Sequence, residues 1–185
     1  MEIPKKPQNE YKIKINSSTD IYKLKEVQEI KDAVQEHILF VGLDNGNNVR
    51  NISLLGVGSE NCVHIDTKFI IRTALVTASS KVVLVHNHPS NSVKPSEEDI
   101  NLTGITKRLL RVFGIQLLDH LIVTEQEYCS LGKTGDLDKE CNNYAINFMD
   151  KVLLIEENHR LKTELEALKN KENNLETGES GLEYE

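Results

Sequence analysis

"VVLVHNHPSNSVKPSEEDI", residues 82–100, closes an apolar run with two of the chain's six histidines, set one residue apart. In an extended strand residues i and i+2 share a face, so His86 and His88 can present both imidazoles to one ion. Two histidines leaving a buried strand would each need a polar partner to offset desolvation, whereas one divalent cation satisfies both and holds them neutral. A loop bracketed by Pro89 and Pro95 then leads to Ser96, and Glu97, Glu98 and Asp99 fall in the first turn of a helix. Ser96 with Asp99 three residues later reads as a capping box, with acids at the positive helix end. The same turn can supply a third ligand. With Asp99 the set is His, His, Asp plus water, the open three-ligand arrangement of catalytic rather than structural zinc. Neither the HxE and PCxxC of zinc deaminases nor the helical HExxH of other zinc proteases occurs.

Outward from this stretch the chain alternates helical and strand patterns. "SSTDIYKLKEVQEIKDAV" (17–34) carries Ile21, Leu24, Val27, Ile30 and Val34 at three- and four-residue steps behind a capping serine or threonine, which predicts one amphipathic helix. "HILFVGLDNGNNVRNISLLGVG" (37–58) is two apolar runs around an Asn-Gly turn, a β-hairpin. "DTKFIIRTALVTAS" (66–79) returns to helical spacing with Asp66 as N-cap, and "KVVLVHNH" (81–88) suits a central strand. A helix over "PSEEDINLTGITKRLLRVFG" (95–114) closes on Gly114, and "IQLLDHLIVT" (115–124) with "EYCSL" (127–131) supplies the last strands. The expectation is a polar lead-in over 1–17, with "YKIKI" as a first strand, and a mixed α/β domain over 18–135. A helical extension follows over 136–172, where Leu154, Leu161, Leu168 and Leu175 fall at seven-residue intervals while Asn158 and Glu172 interrupt the seam. A dimerising helix, giving a homodimer, and a helix folded back on the domain both fit. The acidic tail, 173–185, reads as disordered.

At 185 residues one core plus an appendage is expected. No window reaches the roughly 18 consecutive apolar residues of a membrane span, and "MEIPKKPQNEYK" lacks the apolar core of a secretory signal, so a cytoplasmic protein is expected. Cys62, Cys129 and Cys141 are odd in number and widely spaced, which reads as reduced thiols. The net charge of −7 argues against a nucleic-acid-coating surface, although Lys107, Arg108 and Arg111 form a small basic cluster. Asp119 and His120 are adjacent in a strand, so they point to opposite faces and cannot both serve one site directly; each is expected to have a structural or supporting role.

"HNHPSNSVKPSEED" resembles the JAMM motif of the JAB/MPN metalloproteases, and "ALVTASSKVVLVHNHPS" and "LLDHLIVT" resemble the RadC family of bacterial JAB-domain proteins. The resemblance implies a JAB/MPN-type α/β (α+β) fold, a cytidine-deaminase-like mixed sheet flanked by helices. It implies zinc held by His86, His88 and Asp99, with Ser96 hydrogen-bonding the tetrahedral intermediate. It also implies a water-activating glutamate on or just before an early strand. Glu36 sits there, and Glu60, in the loop after the hairpin, is the other candidate. The implied activity is zinc-dependent hydrolysis of a peptide or isopeptide bond in a peptide or protein substrate. A non-catalytic MPN-type scaffold assembling through the C-terminal helix, and a protein of DNA repair or mobile elements, are the competing functions. Two departures from the family pattern stand out. Asn91 replaces the usual glycine after HNHPS, and asparagine is the next-best residue for a left-handed turn. The helix-hairpin-helix region of full-length RadC proteins is not expected in the short lead-in ahead of the domain, which weighs against a DNA role.

Overall fold

The computed structural model describes residues 11–58, 65–139, 160 and 162–169. The apolar runs become five strands, β1 (His37–Leu43), β2 (Val49–Val57), β3 (Lys81–Asn87), β4 (Gln116–Val123) and β5 (Tyr128–Ser130), in one sheet of order β2-β1-β3-β4-β5. Four helices cover it: α1 (Ser18–Tyr22), α2 (Lys25–Ile30), α3 (Thr67–Val76) and α4 (Glu97–Val112). A short α5 (Leu131–Thr134) and a 3₁₀ turn over Asp136–Asp138 follow β5. The β3 and β4 strands are parallel, joined through α4, and the other neighbours are antiparallel. This is a mixed α/β fold. The chain divides into two units, Met1–Asn142 and Asn143–Glu185. In the second, residues 162–169 are helical, with Leu165 and Leu168 exposed. Glu60, Cys62, Cys141, Leu154, Asn158, Leu161, Glu172 and Leu175 lie outside the described residues, as do the acidic tail and most of the lead-in.

Strand alternation sorts the central sheet into two cores. Leu39, Val41, Val83, Val85, Leu121 and Val123 face α1 and α2, and Ile21, Val27 and Ile30 of these helices with Leu24 between them complete that layer. Phe40, Val82, Leu84 and Leu117 face α3 and α4 through Ile70, Ala74 and Leu110. Each fully buried Val, Leu or Ile contributes about 1.5–3 kcal/mol of transfer free energy. In "YKIKI", Ile15 is buried and Lys14 forms a single bridge to Asn48 rather than a strand.

The single helix expected over residues 17–34 is two. Ile21, Leu24, Val27 and Ile30 are spaced strictly three apart, and at about 100° per residue each step drifts by about 60°, so a straight helix would carry Ile30 to the face opposite Ile21. The chain instead leaves helical geometry at Leu24 (φ −58, ψ 139) and starts again, which buries all four. The Gln28 Nε2 donates to the Tyr22 carbonyl (2.5 Å) across the break. Beyond Ile30 no helix continues, and Val34 is 78 % exposed.

Strand β4 contains a one-residue bulge. Val82 lies opposite Leu117 and Val83 opposite Asp119, so Leu118 is extra. Leu117 packs with the α3/α4 core and Leu118 with the α1/α2 core. The bulge thereby turns Asp119 toward α1 and His120 toward α4, on opposite faces as expected. Asp119 is buried and its carboxylate accepts four bonds: from Ser18 Oγ (3.1 Å) and Ser130 Oγ (2.6 Å) on Oδ2, and from the Gly132 (2.9 Å) and His120 (2.8 Å) amides on Oδ1. It ties the start of α1 to the β5–α5 corner. Asp119→Ala leaves these donors without their acceptor and should cost about 3 kcal/mol, at about 1–3 kcal/mol per unsatisfied buried donor partly relieved by water. A urea midpoint shift with the metal content of the folded fraction unchanged is the expected measurement.

Candidate metal centre

His86 stands next to last in β3 on the α4 side, His88 follows one residue beyond the strand, and Asp99 stands in the first turn of α4. The sequence places them together because β3 delivers two imidazoles at its carboxyl end and the loop of residues 89–95 returns the chain to start α4 beside them. That loop turns on Asn91, whose φ of 57° is left-handed and whose N–H donates to the His88 carbonyl (3.0 Å). Asparagine tolerates this conformation better than most residues, as its sequence position required. Ser96 caps α4 in a capping box: its Oγ accepts the Asp99 N–H (3.1 Å), and the Asp99 Oδ2 accepts both the Ser96 N–H (2.8 Å) and O–H (2.7 Å).

The three side chains converge. His86 Nε2 lies 2.8 Å from His88 Nε2 and 3.1 Å from Asp99 Oδ1, and His88 Nε2 lies 3.4 Å from Asp99 Oδ2. Their ligand atoms lie within 4.8 Å of one another. Zinc–nitrogen bonds of about 2.0–2.1 Å at tetrahedral angles would separate two donors by about 3.3 Å, close to this spread.

Proton counting explains why the nitrogens face one another. Thr103 Oγ1 gives its one proton to the Asp99 carbonyl (2.5 Å), so the His120 Nδ1–H must donate to Thr103 Oγ1 (2.6 Å). His120 Nε2 is then an acceptor and takes the His86 Nδ1–H (2.9 Å). His88 spends its Nδ1–H on the Ser92 carbonyl (2.7 Å). In neutral rings both Nε2 atoms therefore turn lone pairs inward, beside a carboxylate. Two lone pairs 2.8 Å apart repel, and a cation between them, a proton or a metal ion, makes the arrangement favourable. His86, His88 and Asp99 are a group able to hold a metal ion.

The electrostatics agree. Burial alone would raise the Asp99 pKa, yet its hydrogen bonds to His86 and His88, their charge and Ser96 hold the carboxyl far below the carboxylate range. Burial pushes His120 down to about 3, helped by His86, which keeps it neutral. For His88 burial is outweighed by the Asp99 carboxylate, the Ser92 carbonyl and the charge of Glu36, and the pKa rises above its ordinary 6.5.

Glu36 lies directly before β1, where its charge reaches His88, and its carbonyl accepts the Gly58 N–H (2.8 Å). Among the sequence candidates, then, His86, His88, Asp99, Ser96 and Glu36 gather at one end of β3, and Glu60 lies outside the described residues. In the basic cluster Lys107 is engaged with the Asp138 carboxylate and the Leu137 carbonyl. His120 takes the supporting place expected for it. Thr103 was missed; the signal available was a threonine four residues after Asp99, hence on the same helix face.

A family model described as RadC-like JAB domain matches residues 15–137. The chain belongs to the RadC family of JAB-domain proteins. A UPF0758 protein from Staphylococcus haemolyticus is 35 % identical over 127 residues, 69 % of this chain and 55 % of its own length. Others from Methanococcoides burtonii (34 % over 127 residues, 67 % and 54 %) and Desulfitobacterium hafniense (36 % over 123 residues, 66 % and 54 %) are similar. The chain spans about half the length of the curated relatives it matches. In this RadC-type domain no helix among the described residues is long and apolar enough to cross a membrane.

Replacing His120 with Phe keeps the bulk and removes the acceptor that fixes the His86 tautomer. Metal affinity should fall about 10- to 100-fold, the usual cost of losing such a partner, in a chelator competition titration. A second expectation concerns pH. A raised His88 pKa contributes stability to metal-free protein that is present below 6.5 and lost as pH rises through the raised value. The Asp99 contribution, with a pKa lowered from 3.8, persists across that window. Metal competes with this proton, so the gain in Tm on adding zinc should be larger at about pH 8 than at about pH 6.

Proposed function

We propose that this chain is a zinc-dependent hydrolase of peptide or isopeptide bonds, with Glu36 as general base and Ser96 as donor to the oxyanion. The observation that carries the reading is the inward pair of imidazole lone pairs beside Asp99, their protons committed to His120 and Ser92. Three protein ligands suit a catalytic rather than a closed structural site, and neutral imidazole with carboxylate is a donor set zinc accepts. When bound, zinc supplies Lewis acidity and lowers the pKa of a water toward neutrality.

The chain's own residues do the rest. Glu36 borders the group closely enough to act on His88, which suits a carboxylate that takes a proton from the attacking water and hands it to the leaving amine. The Ser96 hydroxyl rests on Asp99 Oδ2 (2.7 Å) beside the metal ligands, and it would redirect that O–H to the developing oxyanion. The amino end of the sixteen-residue α4 adds a positive field at the place where negative charge would develop. His120 and Thr103 keep the His86 lone pair facing the group throughout.

The test is zinc-reconstituted protein against a panel of peptides and isopeptide-linked conjugates, beside Glu36→Gln and His88→Ala. Wild type should bind about one zinc per chain and cleave. Glu36→Gln should keep the zinc and lose about 10²- to 10⁴-fold in turnover, as expected for a general base. His88→Ala should lose both. A zinc-loaded wild type that cleaves none of the panel, or a Glu36→Gln protein as fast as wild type, would sink the reading.

A further inference from the structure

Asn87 stands between the two histidines and belongs to neither of their contacts, because strand alternation turns it to the sheet face that carries α1 and α2. It is fully buried, and three of its four amide hydrogen-bonding positions are filled. Oδ1 accepts the His37 N–H (2.7 Å), and Nδ2 donates to the carbonyls of Ala33 (3.1 Å) and Gln35 (3.0 Å). These backbone groups flank Glu36 on both sides. Residues 31–36, between α2 and β1, have no helix or strand ladder of their own. The Glu36 carbonyl is held from a different direction by Gly58 (2.8 Å).

We infer that Asn87 is a positioning residue, which fastens the segment carrying Glu36 to the strand that carries His86 and His88. This rests on the reading of Glu36 as general base. The tie is short and stiff. Asn87 is bonded covalently to both histidines, and β3 is paired on both sides, by β1 and β4. A loop of irregular backbone would otherwise place Glu36 only loosely, and a misplacement of about 1 Å can cost about 10²-fold in rate. No other residue type offers an acceptor to His37 and two donors to Ala33 and Gln35 at this length: aspartate lacks the donors, and serine is too short to reach all three.

The experiment uses full-length zinc-loaded protein. In wild type, the His37 amide should exchange with solvent as slowly as the ladder amides of β1, and rapid exchange there overturns the inference before any variant is made. Asn87→Ala and Asn87→Asp should keep about one zinc per chain with kcat lowered about 10²-fold and KM little changed, and Asn87→Ala, which removes the acceptor, should speed exchange at His37 by at least about tenfold. The double variant Glu36→Gln with Asn87→Ala should be no slower than Glu36→Gln alone, since both changes act through one carboxylate. Unchanged exchange in Asn87→Ala, or losses that multiply in the double variant, overturns it. If Glu36→Gln instead cleaves as fast as wild type, the hydrolase reading fails, and the exchange rates alone decide whether Asn87 fixes this segment.

Discussion

Two imidazole nitrogens that in neutral rings have no proton to share, held 2.8 Å apart, are the constraint on which the rest of this structure depends. Left alone, buried histidines would rotate or exchange tautomers until each found a donor. Here neither can. His88 is committed to Ser92, and His86 to a path through His120 and Thr103 that ends on the carbonyl of Asp99, itself a member of the group. The path closes on itself: one helix residue presents a carboxylate to the imidazoles and, through its backbone, terminates the chain of bonds that orients one of them. The arrangement is costly for the fold unless a cation shares it, which is the usual mark of a site built for binding rather than for stability.

The sheet supplies the geometry with few parts. A central strand, buried on both faces, needs its neighbours on each side, and its carboxyl end is the natural opening between strand and helix. Parallel pairing with β4 brings His120 in behind His86, antiparallel pairing with β1 brings Glu36 to the same end, and α4 starts there with its positive pole. Alternation along β3 separates two tasks. Even positions, His86 and then His88, face the site, and the residue between them faces the segment before β1.

Much of this was legible in the sequence. The pair of histidines after an apolar run, the Ser96–Asp99 cap, the Asn-Gly hairpin and the Asp66 cap rest on local spacing, and local spacing survives folding. What the sequence withheld depends on partners distant along the chain. Period-three spacing from Ile21 to Ile30 looked helical because single steps fit; only the flat sheet opposite forces the break at Leu24. The path from Thr103 to His86 joins residues 17 and 34 positions apart, and no periodicity encodes it. Asp119 and His120 could be assigned to opposite faces by alternation, but which face each would take was hidden by the extra residue at Leu118.

That extra residue sets a rule for how the chain can vary in length. From Leu118 onward, β4 reads its faces one position out of step with the residues before it. Gain of a residue between Leu118 and His120 would exchange the two faces, sending an acid with four donors in its old place toward the imidazoles and a histidine into the corner beneath α1, whereas loss of Leu118 would restore plain alternation and leave both where they are. An insertion at an exposed turn outside the strands, such as Asn45–Gly46, leaves the two faces as they are. In this fold, tolerance to added or missing residues is therefore a matter of parity as well as exposure, and its least forgiving point lies on the strand that holds none of the three group members.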